Sequence, residues 1–337
     1  MAYDGKVLAR ARDRYETEKE RRRADFRRQR AEIYARVPRL VQIDAQLRGT
    51  VSRTIAAALR SGQDPAARVA ALKEENLALQ KERAAQLEQA GYPPDVLTEQ
   101  PACPACGDTG YGPDGAMCTC LRAYYVEEQN RELSKLLNIG AQSFETFSLD
   151  YYPREYREDC HKVPYEHMEK VARICRQYAA GFGRPGAVRN LFLTGDPGLG
   201  KTFLSACIAR EVSKSGFSVV YDTATHVFSQ FETNKFRRFG EEEQEEAAAD
   251  VRRYLECDLL IVDDLGTELV TPFVQDALYQ LINGRIVAEK RTIINSNLDE
   301  KGIRQRYSPQ IASRLGGEYY TLVFVGDDIR KIRQRRI

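Results

Sequence analysis

The stretch "NLFLTGDPGLGKT", Asn190 to Thr202, constrains the fold of this chain more than any other. An apolar run leads directly into Gly195, Asp196, Pro197, Gly198, Leu199, Gly200, Lys201 and Thr202, and from Phe203 the pattern turns helical. The spacing is G-x-x-x-x-G-K-[ST], and a strand before with a helix after is the context that a phosphate-binding loop requires. Glycines let backbone amides turn inward around phosphates, and the helix start adds a positive dipole. Lys201 can reach the β and γ oxygens, while the Thr202 hydroxyl can ligate Mg²⁺. A purely structural turn would not need Gly198, Gly200, Lys201 and Thr202 in one register.

Further along, "DLLIVDDLG" is an apolar strand ending in two carboxylates. Asp263 is the candidate to hold Mg²⁺, directly or through water, and Asp264 the candidate to orient or deprotonate an attacking water. Glu268 is the alternative base. Alone, paired Asp residues at a strand end also suit a cap or turn. The next strand, "TIINSNL", ends in polar residues at the same sheet edge, where Asn297, in preference to Asn295, can contact a γ-phosphate. "SPQIASRLGGEYYTLVF" reads as a short helix bearing Arg314 and then a last strand. Arg314 suits either a finger reaching a neighbouring copy's ATP or an ordinary surface arginine.

From about Tyr165 onward, apolar strands alternate with helices, which predicts a doubly wound α/β domain with a parallel sheet covered on both faces. The acidic "GEEEQEEAAAD" is expected to be an exposed helix or a loop, and "DYYPREYRED" a linker. Before that domain, Lys6 to about Ala90 reads as an amphipathic helical arm, with Phe26, Ile33, Val37, Leu40 and Leu47 at helical intervals. Pro38 should kink or restart the helix, and "SGQDP", with Asp64 as cap, should break it again. The arm's block "KERRRADFRRQR" suits a solvated face or a surface for nucleic acid or an acidic partner. Over the whole chain, 51 Lys and Arg face 49 Asp and Glu, so attraction to nucleic acid has to come from local patches. No apolar run approaches a bilayer span and the N-terminus has no apolar leader, which predicts a cytoplasmic protein without membrane contact.

Cys103, Cys106, Cys118 and Cys120 lie in a Gly- and Pro-rich segment as C-x₂-C and C-x-C. Four thiolates at that spacing can close a Zn²⁺ site whose metal stiffens a segment without its own core. An iron–sulfur cluster, a ligand such as His161, and a redox pair stay open. Cys160, Cys175, Cys207 and Cys257 are isolated, three of them in apolar or helical settings that suit buried thiols. His226 reads as a packed or surface histidine. Phe228, Phe231 and Phe236 beside Arg237 and Arg238 suit single-stranded DNA or core packing, with Phe228 favoured as core.

Taken together, "NLFLTGDPGLGKT", "DLLIVDDLGTE", "RTIINSNL" and "RYSPQIASRL…FVGDDIRK" resemble the AAA+ ATPases, and among them the bacterial helicase loaders of the DnaC/DnaI type. "QSFETFSLDYY" resembles the segment preceding that family's ATPase core. Insertion-sequence helper ATPases of the IstB type share the same core. The resemblance covers roughly Gln142 to Arg330 and implies a five-stranded parallel sheet, ATP/ADP binding and self-association through the ATPase domains, while Asp264, shorter than a glutamate, suits slow hydrolysis. It also implies contact with single-stranded DNA and an N-terminal region gripping a hexameric replicative helicase. By the same resemblance Arg314 is the finger candidate and Arg330 a second nucleotide sensor, and a zinc-bearing N-terminal region is known in DnaI-type loaders. About a dozen residues follow the last expected strand, too few for a multi-helix lid. The expected division is a helical arm over 1–98, a cysteine module with a connecting helix over 99–141, and the ATPase domain over 142–337.

Overall fold

The structure, a computed structural model, describes residues 3–59, 65–136, 142–236 and 241–335. Its contacts divide into two compact units, residues 13–120 and residues 1–12 with 121–337.

The unit of residues 13–120 is helical. Helix α1 (Gly5–Arg36) ends where Pro38 opens α2 (Pro38–Leu59), since a proline disfavours helical backbone in the residue before it. Helix α3 (Pro65–Gln89) packs on α2. Arg39 pairs with Glu82 at 2.8 Å, Asp44 with Arg83 at 2.8 Å and Thr50 with Asn76 at 3.1 Å, so the two helices run antiparallel. Ile33, Leu40, Leu87 and Leu97 are buried together. The cap Asp64 lies outside the described residues, as do the side chains of Val51, Ile55 and Leu59. Within the basic block of α1, Arg21, Arg23 and Arg28 pair with Glu18, Glu20 and Asp25, and Lys19 pairs with Glu16. Arg22 reaches Asp108, and Arg30 lies over the Tyr34 ring. Each such exposed pair contributes only about 0–1 kcal/mol. Together they offset only part of the block's positive charge.

The second unit begins, after the N-terminal turns of α1, with α4 (Thr119–Leu136) and α5 (Pro164–Ala180). Strand β1 (Leu191–Thr194) feeds α6 (Lys201–Lys214), then β2 (Val219–Thr223), α7 (Ala224–Lys235), α8 (Glu241–Glu256) and β3 (Leu259–Leu265) follow. Helix α9 (Pro272–Val287), β4 (Arg291–Ser296), α10 (Glu300–Arg306), α11 (Pro309–Glu318), β5 (Tyr320–Val323) and α12 (Ile329–Arg335) complete it. The five strands are all parallel in the order β2-β3-β4-β1-β5. Because side chains alternate along a strand, Leu191, Leu193, Ile261 and Ile293 face α5 and α6, whereas Phe192, Leu260, Val262 and Ile294 face the other helices. Burial on both sides explains why these strands read as unbroken apolar runs.

The cut between units falls elsewhere than the composition suggested. Asp4 caps α1, its amide donates to Tyr125 at 3.0 Å, and its carboxylate meets Arg253 at 3.0 Å. Val7 and Ala11 are buried, and Arg10 pairs with Glu132 of α4 at 2.6 Å. Gln129 of α4 accepts from the Val219 amide and donates to Ser213, covering the exposed edge of β2. The first turns of α1 and nearly all of α4 therefore belong with the sheet, while the cysteine segment belongs with the helical arm. The linker expectation for "DYYPREYRED" also fails. Tyr152 is buried, and its hydroxyl donates to the Leu199 carbonyl at 2.8 Å. The acidic segment is helical in α8, anchored by buried Ala247, Val251 and Tyr254.

One buried cation fixes the far side of the sheet. Arg285, fully buried on α9, donates to Thr292 Oγ1 (2.9 Å), to the Tyr254 and Arg291 carbonyls (2.6 and 2.5 Å) and to Cys257 Sγ (3.3 Å). Removing it strands several buried acceptors at once. Arg285→Ala should lower the urea unfolding free energy of this unit by about 3 kcal/mol. A loss below about 0.5 kcal/mol, the range of an ordinary surface change, would show that those acceptors find other partners.

Candidate nucleotide site

Strands β1, β3 and β4 deliver the loop, the carboxylates and the asparagines to one carboxyl edge of the sheet, the place where parallel α/β sheets bind ligands. The loop backbone is left-handed where the sequence has glycine. Gly195 has φ 141° and Gly198 has φ 81°. A Cβ at Gly195 would lie 2.4 Å from the Phe324 carbonyl oxygen, and one at Gly198 would lie 2.0 Å from Asp328 Oδ1. Only glycine fits at either position. Gly200 caps α6 in the left-handed region, so the first free amides of that helix point into the turn.

Lys201 is buried at the start of α6, and its ammonium donates to the Gly195 and Asp196 carbonyls (2.5 and 2.8 Å) and to Asn297 Oδ1 (2.7 Å). Desolvation lowers its pKa to about 8, outweighing the opposing pull of Asp264, Asp263 and Asp196. The Thr202 hydroxyl donates to Asp263 Oδ2 at 3.1 Å. Asp263 itself is buried and faces the sheet interior. Its neighbour faces the cleft because β3 slips register between Val262 and Leu265, a bulge of the kind that re-aims side chains beside active sites. Asp264 carries φ 55°, a left-handed conformation uncommon outside glycine. Desolvation and then Asp263 raise its pKa, against Lys201 and Arg330.

A cleft of about 420 Å³ opens above the loop. Pro197 to Phe203, Asp264 and Asn297 line it, as do Phe147, Tyr151, Arg330 and Arg333. Phe147 packs on Phe203 at 5.6 Å between ring centres, and Arg333 lies over the Tyr151 ring. Gly195 and Asp196 contribute carbonyls to Lys201 rather than wall. Asn295 is fully buried and bonded to Asp263, whereas Asn297 lines the cleft. Glu268 is turned away, accepting from the Gly266 amide (3.0 Å) and the Tyr307 hydroxyl. Arg314, half-buried on α11, does not line the cleft. Phe147, Tyr151 and Arg333 escaped the sequence reading; the aromatics inside "QSFETFSLDYY" were the available signal.

In the helical unit, the four cysteine sulfurs all lie within 4.8 Å of one another, with Cys103 to Cys118 at 3.7 Å and Cys106 to Cys120 at 3.5 Å. A regular tetrahedron with Zn–S of about 2.3 Å places sulfurs about 3.8 Å apart, so the donor set fits zinc. No histidine joins the cluster among the described residues. Asp108 accepts from the Ala102 and Cys103 amides (3.0 and 2.8 Å), tightening the first turn. Desolvation opposes ionisation of Cys106, yet the Gly110 amide and the neighbouring thiols bring it down to about 6. Of the isolated cysteines, Cys175, Cys207 and Cys257 are buried and Cys160 is half-buried. His226 is exposed and held by Asp222 at 2.6 Å. Phe228 and Phe231 are core, Phe236 stacks on Phe273 at the surface, and Arg237 and Arg238 lie outside the described residues.

Two outcomes follow from this geometry. A phosphate-binding Lys201 has to be charged, and in the free protein it loses its proton above about pH 8. Wild-type ADP affinity should therefore fall about tenfold per pH unit above 8, measured by calorimetry, and Lys201→Met should remove that slope. For the cysteines, the purified full chain should carry about one zinc, and Cys103→Ser should lose most of it by elemental analysis. Unchanged metal content in the variant would rule the four ligands out.

The family profile for IstB-like ATP binding proteins matches residues 181–307, which span the loop, β3 and β4. The replicative helicase loader DnaC of Escherichia coli (strain K12) is 25% identical over 182 residues, covering 53% of this chain and 69% of that protein. The replicative helicase loader DnaC of Buchnera aphidicola subsp. Acyrthosiphon pisum is 24% identical over 174 residues, covering 51% and 68%. Among solved structures, that of a DnaC helicase loader aligns with 56% of this chain and 99% of its own at 17% identity and a TM-score of 0.45. That of DnaI aligns with 58% and 92% at 20% identity and a TM-score of 0.42. Among the described residues no helix is long and apolar enough to cross a membrane. Residues 181–307 thus carry an IstB-like ATP-binding domain, and about half of the chain is similar to the DnaC helicase loaders.

Proposed function

We propose that this ATPase is a replicative helicase loader whose grip on its partner is controlled by ATP. The observation that carries the chemistry is the convergence of Lys201, Thr202, Asp264 and Asn297 on one cleft, with Asp263 behind them. A magnesium ion held there would supply charge neutralisation for phosphoryl transfer. On the protein side, Lys201 and the loop amides of Gly195 to Phe203 hold the phosphates, and Thr202 with Asp263 holds the cation. Asp264 positions the water. Its side chain is one methylene shorter than a glutamate's, which suits slow turnover. Asn297 already shares a hydrogen bond with Lys201 and is placed to register the γ-phosphate. Arg330 lies near enough to Lys201 and Asp264 to act on both electrostatically, which suits a second contact to phosphate. Arg314 stands off the cleft, so its place in this scheme is in trans, on a neighbouring copy's ATP.

Similarity to the curated loaders over more than two thirds of their length supports loading. In this reading the N-terminal helices contact a hexameric replicative helicase, the ATPase domains self-associate, and single-stranded DNA is bound by the assembled domains. A zinc-held cysteine turn stiffens the base of the arm, and thiolate ligands of that kind suit a reducing, cytoplasmic setting. The IstB-like match favours one other reading, a transposition helper that binds duplex DNA and a transposase.

The deciding experiment combines turnover and partner capture. Wild type should release phosphate slowly, faster with single-stranded DNA, and retain purified replicative helicase in ATP more than in ADP. Lys201→Ala should lose about 10²-fold in turnover, the scale of removing one preorganised charge contact. No helicase recovered, together with duplex-DNA stimulation, would favour the transposition reading.

A further inference from the structure

Asp263 is held by more donors than the phosphate-binding loop supplies. Its Oδ2 accepts the Thr202 hydroxyl at 3.1 Å and the Tyr221 hydroxyl. Its Oδ1 accepts Asn295 Nδ2 at 2.8 Å and the Asp264 amide at 3.0 Å. Tyr221 lies on β2 and Asn295 on β4, the two strands flanking β3. Both are buried, with exposures of 4% and 0%, and neither lines the cleft. They are therefore placed to act through Asp263 and not on a ligand.

The orientation of Asn295 follows from the chemistry of its partner. An ionised carboxylate only accepts, so the amide must present its NH₂ group. That same group donates to Ser205 Oγ at 2.9 Å on α6, which leaves Asn295 Oδ1 buried without a partner. A buried polar side chain kept only for packing would not strand its carbonyl oxygen. The two donations, one to Asp263 and one to the helix carrying Lys201 and Thr202, account for the residue. Tyr221 is analogous: its ring fills the apolar layer between sheet and helices, and its hydroxyl needs a partner there. That partner is the carboxylate. A carboxylate offers about four acceptor positions. At Asp263 three are fixed by the fold, through Tyr221, Asn295 and the Asp264 amide, and the fourth is turned to Thr202.

We propose that Tyr221 and Asn295 are positioning residues for the magnesium site, fixing the orientation of Asp263 so that its free face meets the Thr202 hydroxyl. The proposal rests on the assignment of Thr202 and Asp263 to magnesium. Partners in the shell behind a metal's ligands change metal affinity or activity by about 10–100-fold when removed. Tyr221→Phe deletes one hydroxyl and keeps the ring, and Asn295→Ser deletes the donated amide.

The test titrates Mg²⁺ into the full chain at saturating ATP while following phosphate release, with ADP affinity in EDTA measured alongside. Each variant should raise the Mg²⁺ concentration for half-maximal activity about tenfold while leaving metal-free ADP affinity within about twofold of wild type. A Mg²⁺ curve that superimposes on wild type overturns the proposal. So does parallel loss of metal-free ADP binding, since that marks damage to the fold. Asp263→Asn, run beside them, separates the two levels of inference. If it also leaves the Mg²⁺ dependence unchanged, the magnesium assignment itself fails. If it abolishes activity while Tyr221→Phe titrates like wild type, only the positioning role falls.

Discussion

Burying a carboxylate costs several kcal/mol unless donors replace the lost water, and at Asp263 that requirement couples four elements of the fold. Tyr221 comes from β2, the Asp264 amide from β3 itself, Asn295 from β4 and Thr202 from α6. A parallel sheet makes such a meeting possible, because successive strands end at the same edge and can each contribute a polar side chain there. The bulge in β3 then divides the labour between adjacent aspartates. Asp263 stays with the sheet, while Asp264, in a left-handed backbone, is released to the cleft.

The loop is held from the opposite side by the segment that follows β5. Phe324 follows β5 and crowds Gly195, and Asp328, just before α12, crowds Gly198. The Ile329 amide donates to the Gly198 carbonyl at 3.1 Å, so the start of the last helix is hydrogen-bonded directly to the glycine-rich turn. Arg330 and Arg333 on that helix and Phe147 and Tyr151 before α5 complete the wall. The cleft thus draws its phosphate end from the sheet edge and its aromatic end from segments outside the sheet.

That split explains what was legible in the sequence. Gly195 to Thr202, the Asp pair and Asn297 sit where short-range rules operate: apolar run, glycines at fixed offsets, helix start. Phe147, Tyr151 and Tyr152 are brought in by tertiary packing alone, and the prolines and charges around them read as linker. Tyr221 was hidden for a different reason. In "FSVVYD" it counts as one more strand residue, and no local pattern announces that its hydroxyl ends on a carboxylate two segments away. The unit boundary was misplaced because composition changes where a helix stops, at Tyr92 to Gln100, whereas contacts change where α4 begins to cover β2. His226 and Phe228 behaved as their helical context implied, one held by Asp222 and the other in the core.

The helical unit obeys a different balance. Its apolar cluster of Ile33, Leu40, Leu87 and Leu97 is small, and α1 presents mostly charge, part of it taken up in its own i,i+3 pairs. Between Leu97 and Leu121 the only buried apolar side chain among the described residues is Met117. Such a segment cannot offset the entropy of its own ordering by burial. Its order comes instead from short-range ties: the Asp108 carboxylate on two amides, the Tyr111–Met117 bridge, and Tyr15 of α1 against Cys120 at 3.6 Å. Four thiols drawn to within 4.8 Å belong to the same logic. Clustered thiolates repel one another, and a tetrahedral dication bound between them would convert that repulsion into a cross-link.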